Sequence, residues 1–341
     1  MTKNLFKNGY FTTGLVYLVG LLGVSVLYFI ITGDKVPEVG LIKDQNGDII
    51  SPPYSPLDYP PLGTDNFNRS VLLLILVGAK YTIGIGILIT LLRVIPAVIL
   101  GLIVHFNLKG IRKPLNSIVD ASNFFPPSLL AFLLMNWVML EGPLMNPDHF
   151  PYQFADKLLL YIIIMVVISL PSLTMLFANE YDKIMSNEFI SCSKVLGASN
   201  RQFITKHIRP FIVPQIFLIM IREFIIVMLL IAHLGVLSIY IGGSSLQEDT
   251  FGNSMFVSLS NEWSGLLGGW WTFLWTTYPW IAFIPVIFIS LTILSAKFML
   301  IGASKVVENY YVPDDMEDQD PAPHTSNVEA EIDPFSLAKG K

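Results

Sequence analysis

Long apolar blocks with few charges are the feature that most limits how this chain can fold. Each block runs for roughly 20 residues, the length that a helix needs to cross a hydrocarbon core about 30 Å thick. The blocks do not alternate with period two, as transmembrane strands do, so helices are the predicted spanning element. Six spans are predicted, over residues 11–32, 82–104, 117–140, 158–179, 211–232 and 276–300. The sequence therefore predicts an all-α membrane protein.

The composition agrees with this fold class. Of the 341 residues, 53% are hydrophobic and 14% are charged, whereas a soluble domain carries about a quarter charged residues. The block 11–32 is longer than the apolar region of a secretory signal, so we expect it to be retained as the first span. The one cysteine, Cys192, excludes an intrachain disulfide. The basic residues are few and scattered, which does not favour a nucleic-acid partner.

The second block is too long for one upright span. Its helical pattern starts at Val71 and runs to Val104, about 51 Å at 1.5 Å per residue. Lys80 also interrupts the apolar pattern. We therefore predict a short amphipathic helix over 71–80 on the outer surface, followed by a span that starts near Thr82.

The predicted organisation has four parts. They are a cytoplasmic N-terminus with the first span (1–32), an outer loop with an interfacial helix (33–81), a transmembrane core (82–305) and an acidic tail (306–341). The outer loop is rich in proline, so we expect an ordered but irregular path. The tail lacks apolar periodicity and is predicted to be disordered.

Basic residues set the predicted orientation. Lys and Arg are concentrated in the N-terminal segment, in loops 105–116 and 180–210 and in the tail. Positively charged flanks favour the cytoplasmic side, so both termini are predicted to be cytoplasmic. Tryptophans gather at the predicted outer end of the last span, which is typical of an interfacial belt, with ligand stacking as the alternative. They are Trp263, Trp270, Trp271, Trp275 and Trp280.

The longest predicted cytoplasmic loop carries an amphipathic pattern. Apolar or small residues recur at spacings of three and four, and Gly197 lies within the pattern, where it can divide the helix in two. Such a helix either lies on the membrane surface or docks in a groove of a cytoplasmic partner. The residues on the shared face are Phe189, Cys192, Leu196, Ser199 and Phe203.

Four motifs in the same order resemble those of ABC importer permeases for oligopeptides and dipeptides. In the loop, Leu196-Gly197-Ala198-Ser199 and His207-Ile208-Arg209-Pro210 resemble the coupling loop, with Ser191-Cys192-Ser193 in place of Glu-Ala-Ala. Residues 62–72 resemble the outer signature LGTDxxGRDVL, with Asn68 for Gly and Ser70 for Asp. Residues 78–82 resemble GARxS, and 126–130 resemble the third-helix pattern. The chain is identified as a divergent C-type subunit, with the resemblance covering roughly residues 60–305.

The resemblance implies a type I importer fold, with a cytoplasmic coupling helix between spans four and five. It implies a permease that forms half of a peptide path in the cell membrane. The implied partners are a second, different permease, two cytoplasmic ATPase subunits and an extracytoplasmic substrate-binding protein. The implied coupling residues are Glu188, Phe189, Cys192, Leu196, Gly197, Ala198 and Phe203, and the outer signature contributes Gly63, Thr64, Asp65 and Arg69.

Other functions remain open at this stage. The alternatives are a permease for nickel or another small cargo, and a membrane scaffold or sensor that does not transport. The sequence has no phosphate-binding loop of the Walker type, so ATP hydrolysis is expected in the partner subunits. The five histidines are spread over five segments, which does not favour a metal site. No catalytic residue and no cofactor is predicted.

Charges inside the predicted spans are candidates for a buried pair or for the translocation path. They are Arg93, Arg222 and Glu223, and a charge at the bilayer centre costs about 2.5–3.5 kcal/mol on insertion scales. Arg222 and Glu223 are adjacent and point about 100° apart on a helix, so they do not pair with each other. We predict that Arg93 pairs with Glu223, with Asp120 as a second candidate. The sequence leaves two roles open for these charges: a structural pair, or a polar patch that contacts the peptide.

The orientation is testable through the one native thiol. Because loop 180–210 is predicted to be cytoplasmic, we expect a membrane-impermeant maleimide to label Cys192 in inverted or opened vesicles and not in intact cells. Labelling in intact cells would overturn the orientation.

Overall fold

Helices make up most of the computed structural model, which describes residues 2–43, 49–139, 152–186, 208–250 and 252–311. The helices are α1 (Thr2–Leu5), α2 (Gly9–Thr32), α3 (Val71–Phe106), α4 (Arg112–Asn123), α5 (Pro127–Met139), α6 (Phe154–Met185), α7 (Arg209–Val236), α8 (Trp263–Trp270) and α9 (Pro279–Tyr311). Short 3₁₀ turns cover Lys109–Ile111 and Trp271–Trp275. Two antiparallel pairs join strands β1 (Ile42–Lys43) to β2 (Ile49–Ile50) and β3 (Ser244–Glu248) to β4 (Ser254–Ser258).

Five helices of the described ranges are long and apolar enough to cross a membrane: α2, α3, α6, α7 and α9. The predicted span over 117–140 is instead two helices, α4 and α5, that meet at an angle of 88°. Pro126 and Pro127 explain the break, since proline lacks an N–H donor and disfavours helical conformation in the residue before it. Counting the bent pair as one span gives six, the predicted number.

The predicted division of the second block is wrong, because α3 is one helix of 36 residues. Lys80 does not end this helix, because its side chain makes specific contacts with an acidic residue and with two aromatic rings. Its Nζ lies 2.5 Å from Asp34 Oδ1 and lies over the rings of Phe29 and Tyr81, at 5.2 and 4.6 Å. A paired cation that also contacts aromatic faces is tolerated near apolar surroundings.

The bundle has two ends, and α3 and α6 run in the same direction between them, since Arg93 contacts Met165 and His105 contacts Asp182. We call the end where the chain leaves α6 at Ser186 and enters α7 at Arg209 the inner end, and the opposite end the outer end. At the outer end, Leu74 and Ile75 of α3 pack with Trp263 and Leu266 of α8. The segment 71–80 is therefore part of the core and not a helix on the surface.

The tryptophans do not form a single belt. Trp263 and Trp270 are buried, whereas Trp271 is 46% and Trp275 83% exposed. Trp263 belongs to the core because its indole Nε1 donates to Ile75 O at 2.8 Å. The interpretation as a belt therefore does not apply to the two buried rings.

Glu262 organises the start of α8 beside this core. Its carboxylate accepts hydrogen bonds from the backbone N–H of Gly265 at 2.7 Å and of Ile241 at 3.2 Å, and from Ser264 Oγ at 2.7 Å. Burial raises the pKa of Glu262, and these hydrogen bonds oppose that rise. The side chain thus satisfies N–H donors that the first turn of a helix leaves free.

The last helix extends past the predicted boundary of the core. α9 continues to Tyr311, six residues beyond residue 305, and Val307 is buried. The start of the segment expected to be a disordered tail is therefore helical. Residues 312–341 lie outside the described ranges.

Two glycines allow α7 and α8 to approach at the outer end. A Cβ on Gly268 would lie 2.0 Å from Gly235 O, and a Cβ on Gly235 would lie 2.2 Å from Ser264 O. Both obstacles are backbone atoms, which cannot move aside as the end of a side chain can. Small residues permit such backbone contact between membrane helices.

We expect Gly268→Ala to destabilise the protein by about 1–3 kcal/mol, the usual cost of overpacking. The matched control is Gly84→Ala in α3, where a Cβ meets nothing within 4 Å, and it should change stability by less than about 1 kcal/mol. Thermal unfolding of the detergent-purified variants measures both. Equal stability of the two variants would contradict the close approach.

Candidate functional site

A cavity of about 560 Å³ lies between helices of the bundle. Its walls come from α3, from the bend between α4 and α5, from α6 and from α7. This volume lies within the range of about 300–1,000 Å³ that is typical of small-molecule sites. Its charged or titratable lining residues are Arg93, Glu223 and His233, and its serines are Ser122, Ser128, Ser169 and Ser172.

Arg93 projects from α3 towards α6 and α7, and its side chain is 2% exposed. Its Nε donates to the backbone carbonyl of Met165 in α6 at 2.9 Å. Its Nη1 lies 3.6 Å from Glu223 Oε2 in α7. The guanidinium therefore connects three helices at one point.

The predicted pairing of Arg93 with Glu223 is present. Glu223 is buried, whereas Arg222 beside it is exposed on another side of α7, as the angle between adjacent helical residues requires. Asp120, the second candidate partner, is exposed on α4. The three candidate charges thus separate into a buried pair and one outward-facing arginine.

Three cavity serines donate to their own helices. Ser122 Oγ donates to Val119 O at 2.8 Å, Ser169 Oγ to Val166 O at 3.1 Å, and Ser172 Oγ to Ser169 O at 2.9 Å. A hydroxyl whose proton is used in this way still offers lone pairs. These serines therefore add hydrogen-bond acceptors to a largely apolar wall.

The outer signature residues form a tight turn before α3. Asp65 accepts from Arg69 Nη2 at 2.7 Å and from the backbone N–H of Phe67 at 3.0 Å and of Arg69 at 2.7 Å. Burial raises the pKa of Asp65, and the charge of Arg69 opposes that rise. Thr64 Oγ1 accepts from Tyr54 N at 2.8 Å. The structure brings the signature residues together in one turn, and none of them lines the cavity.

Two residues of this turn have left-handed backbone conformation. Gly63 has φ +74°, and a Cβ there would lie 2.5 Å from Tyr54 O. Asn68 has φ +58°, and it stands where the resembling motif has glycine. Asparagine tolerates this region better than most residues, so the departure from the motif is compatible with the turn.

All seven predicted coupling residues lie within 187–207, outside the described residues. They are Glu188, Phe189, Cys192, Leu196, Gly197, Ala198 and Phe203. The structure shows what flanks them: Ile184 at the end of α6 and Ile208 before α7 belong to one buried cluster with Phe177. The chain therefore leaves and re-enters the bundle at one place.

An ionic group that sequence reasoning missed lies close to that place. Asp182 near the end of α6 accepts from His105 Nδ1 of α3 at 2.6 Å and from Arg112 Nη2 at the start of α4. Asp182 precedes residue 187 by five positions, so the group joins α3 and α4 to the helix that leads into the predicted coupling loop.

Two comparisons with known proteins bear on this arrangement. The profile of the family described as "Binding-protein-dependent transport system inner membrane component" matches residues 87–301, which include every residue that lines the cavity. The dipeptide transport system permease protein DppC of Alkalihalophilus pseudofirmus is 23% identical over 208 residues. That alignment covers 61% of this chain and 60% of the relative, so the chain spans less than two thirds of the relative's length.

Because Arg93 and Glu223 form a buried pair, the effects of substituting them on stability should not be additive. Removing one partner strands the other charge and costs about 3–5 kcal/mol, so Arg93→Leu and Glu223→Leu should each sharply lower the yield of folded protein. The double leucine variant should recover much of that loss, because two apolar side chains suit packing at this depth. Thermal unfolding and folded yield of the three variants measure the coupling.

Lys297→Leu is the matched control, because it removes an exposed charge from α9, which contributes nothing to the cavity wall. It should leave the folded yield unchanged. If the double variant loses as much stability as the two single variants combined, Arg93 and Glu223 do not stabilise each other.

Proposed function

Because this chain belongs to the binding-protein-dependent transport system inner membrane component family, we propose that it is a permease subunit of an ABC importer. In this proposal it forms half of a translocation path, and a second, different permease forms the other half. The observation that carries the proposal is that the family profile, over residues 87–301, includes every residue that lines the cavity. ATP-dependent uptake by the purified complex tests it.

Exposed apolar side chains support a protein partner beside the cavity. Trp137 and Leu133 of α5 are 72% and 55% exposed, and Ile226 and Leu229 of α7 are also exposed. Ile226 and Leu229 additionally line the cavity. A second permease on this face would close the cavity from the side, while lipid covers the remaining apolar surface.

The proposed coupling element is residues 187–207. Its attachment supports this role: its flanks converge on the buried cluster of Ile184 and Ile208, and Asp182 links α6 to α3 and α4. A force applied to this loop by closing ATPase subunits would act on helices that line the cavity, as rigid-body gating requires. ATP hydrolysis is assigned to those partner subunits and not to this chain.

Peptides are the proposed cargo, delivered by an extracytoplasmic binding protein. The relative DppC is named as a dipeptide permease, and the four motifs of this sequence resemble peptide permeases. The proposed orientation places both termini and residues 187–207 in the cytoplasm and the outer signature outside. Nickel is the alternative cargo, and the same assay measures its uptake with labelled nickel.

The proposed coupling role of residues 187–207 predicts the effect of a helix-breaking substitution in this segment. We expect Gly197→Pro to abolish ATP-driven uptake while the protein stays in the membrane, because proline removes an N–H donor and restricts the preceding residue. Uptake into proteoliposomes and the amount of membrane-inserted protein are both measured.

Gly40→Pro is the control for introducing a proline, since Gly40 lies in the outer segment and a Cβ there meets nothing within 4 Å. It should transport at close to the wild-type rate. Normal uptake by Gly197→Pro would remove residues 187–207 from the coupling role.

A further inference from the structure

The guanidinium of Arg93 has hydrogen-bonding capacity that the protein leaves unused. An arginine carries five N–H donors. Here Nε donates to Met165 O, Nη1 lies 3.6 Å from Glu223 Oε2, and Nη2 is buried without a hydrogen-bond partner. A buried charged group with unmet donors costs free energy, and a ligand that supplies an acceptor recovers it.

Glu223 supplies the complementary group at the same place. Its side chain is 10% exposed, and both it and Arg93 line the cavity of about 560 Å³. An ionised carboxylate has about four acceptor positions, and Arg93 Nη1 lies 3.6 Å from Oε2, longer than an ordinary hydrogen bond. A strong donor and a strong acceptor therefore lie side by side in the cavity wall, and a ligand reaches the buried Nη2 when the guanidinium turns towards the cavity.

Main-chain groups of an extended peptide match this arrangement. In a strand, the N–H and the C=O of one residue point to the same side, and a hydrogen-bonded pair of antiparallel residues exchanges both bonds. We infer that Arg93 and Glu223 bind one extended residue of the peptide, with Arg93 donating to its C=O and Glu223 accepting from its N–H. The side-chain pair then acts as one residue of a neighbouring strand.

Charged peptide ends fit this place less well. A terminal carboxylate held by Arg93 would lie beside the Glu223 carboxylate, and a terminal ammonium held by Glu223 would lie beside Arg93. Juxtaposed like charges oppose binding. Main-chain recognition avoids this repulsion, and it is shared by peptides of any sequence because side chains take no part in it.

This inference rests on the proposed peptide transport, and its test varies both protein and cargo. The probes are labelled trialanine and its two isomers with a single N-methylated amide, which lack one N–H each. Uptake is measured with the purified complex in proteoliposomes, for wild type, for the Arg93→Leu/Glu223→Leu double variant and for Lys297→Leu. Rates are normalised to folded protein, and Glu223→Gln replaces the double variant if that variant does not fold.

For each peptide, the ratio of wild-type to variant uptake isolates the contact with Arg93 and Glu223. Any effect of methylation on recognition by the binding protein is the same for both proteins and cancels in this ratio. The double variant removes both contacts, so we expect it to lose more than tenfold for trialanine, since one hydrogen bond to a charged group is already on the scale of about tenfold. For the N-methylated isomer that lacks the bound N–H, the loss should be several-fold smaller, because only the contact between Arg93 and the C=O is left to lose. Lys297→Leu should show no such dependence on the probe.

Two results would overturn the inference in distinguishable ways. Equal losses for all three peptides, or no loss for any, would show that Arg93 and Glu223 do not read a main-chain N–H, while peptide transport itself stands. Absence of ATP-dependent trialanine uptake by the wild-type complex would overturn the proposed peptide cargo and the inference together.

Discussion

A buried arginine is the constraint on which the middle of this bundle depends. A cation at membrane depth must find an opposite charge and hydrogen-bond acceptors. Arg93 finds them on two other helices, in the carbonyl of Met165 and the carboxylate of Glu223. Because these contacts hold α3, α6 and α7 at one point, the same interaction that makes the charge tolerable also shapes the wall of the cavity.

The sequence predicted those features that depend on local pattern. Apolar blocks located the spanning helices. The pair of Arg93 with Glu223 is the exception, a long-range contact that was predicted because a charge within a span needs a partner. The 88° bend was signalled by Pro126-Pro127, but the apolar run around it favoured one span. Lys80 could not be interpreted from its own surroundings, because its partner Asp34 lies 46 positions away. The burial of Trp263 likewise depends on contacts with α3.

In the candidate site, too, features set by neighbouring residues were easier to predict than those set by residues far apart in the chain. The residues of the outer turn were named from the sequence only as a motif, and backbone geometry explains why asparagine is acceptable at position 68. The group formed by His105, Arg112 and Asp182 was missed, since Asp182 is separated from its partners by 70 and 77 positions. The coupling residues stay a prediction from their pattern and resemblance. Long-range pairs are what a single sequence specifies least directly.

The order in which the chain is synthesised gives the buried pair a further consequence. Arg93 leaves the ribosome 130 residues ahead of Glu223, so α3 must enter the bilayer while its arginine has no carboxylate to meet. An arginine at the centre of a helix costs about 2.5–3.5 kcal/mol at the translocon, and each Leu, Ile, Val or Phe returns about 0.3–0.6. The most apolar 18-residue stretch of α3 has a mean hydropathy of 2.7, the highest such value among the five spanning helices. The branched aliphatic residues of this helix offset the cost of its arginine, so α3 is apolar enough to enter lipid with a lone cation before α7 is made.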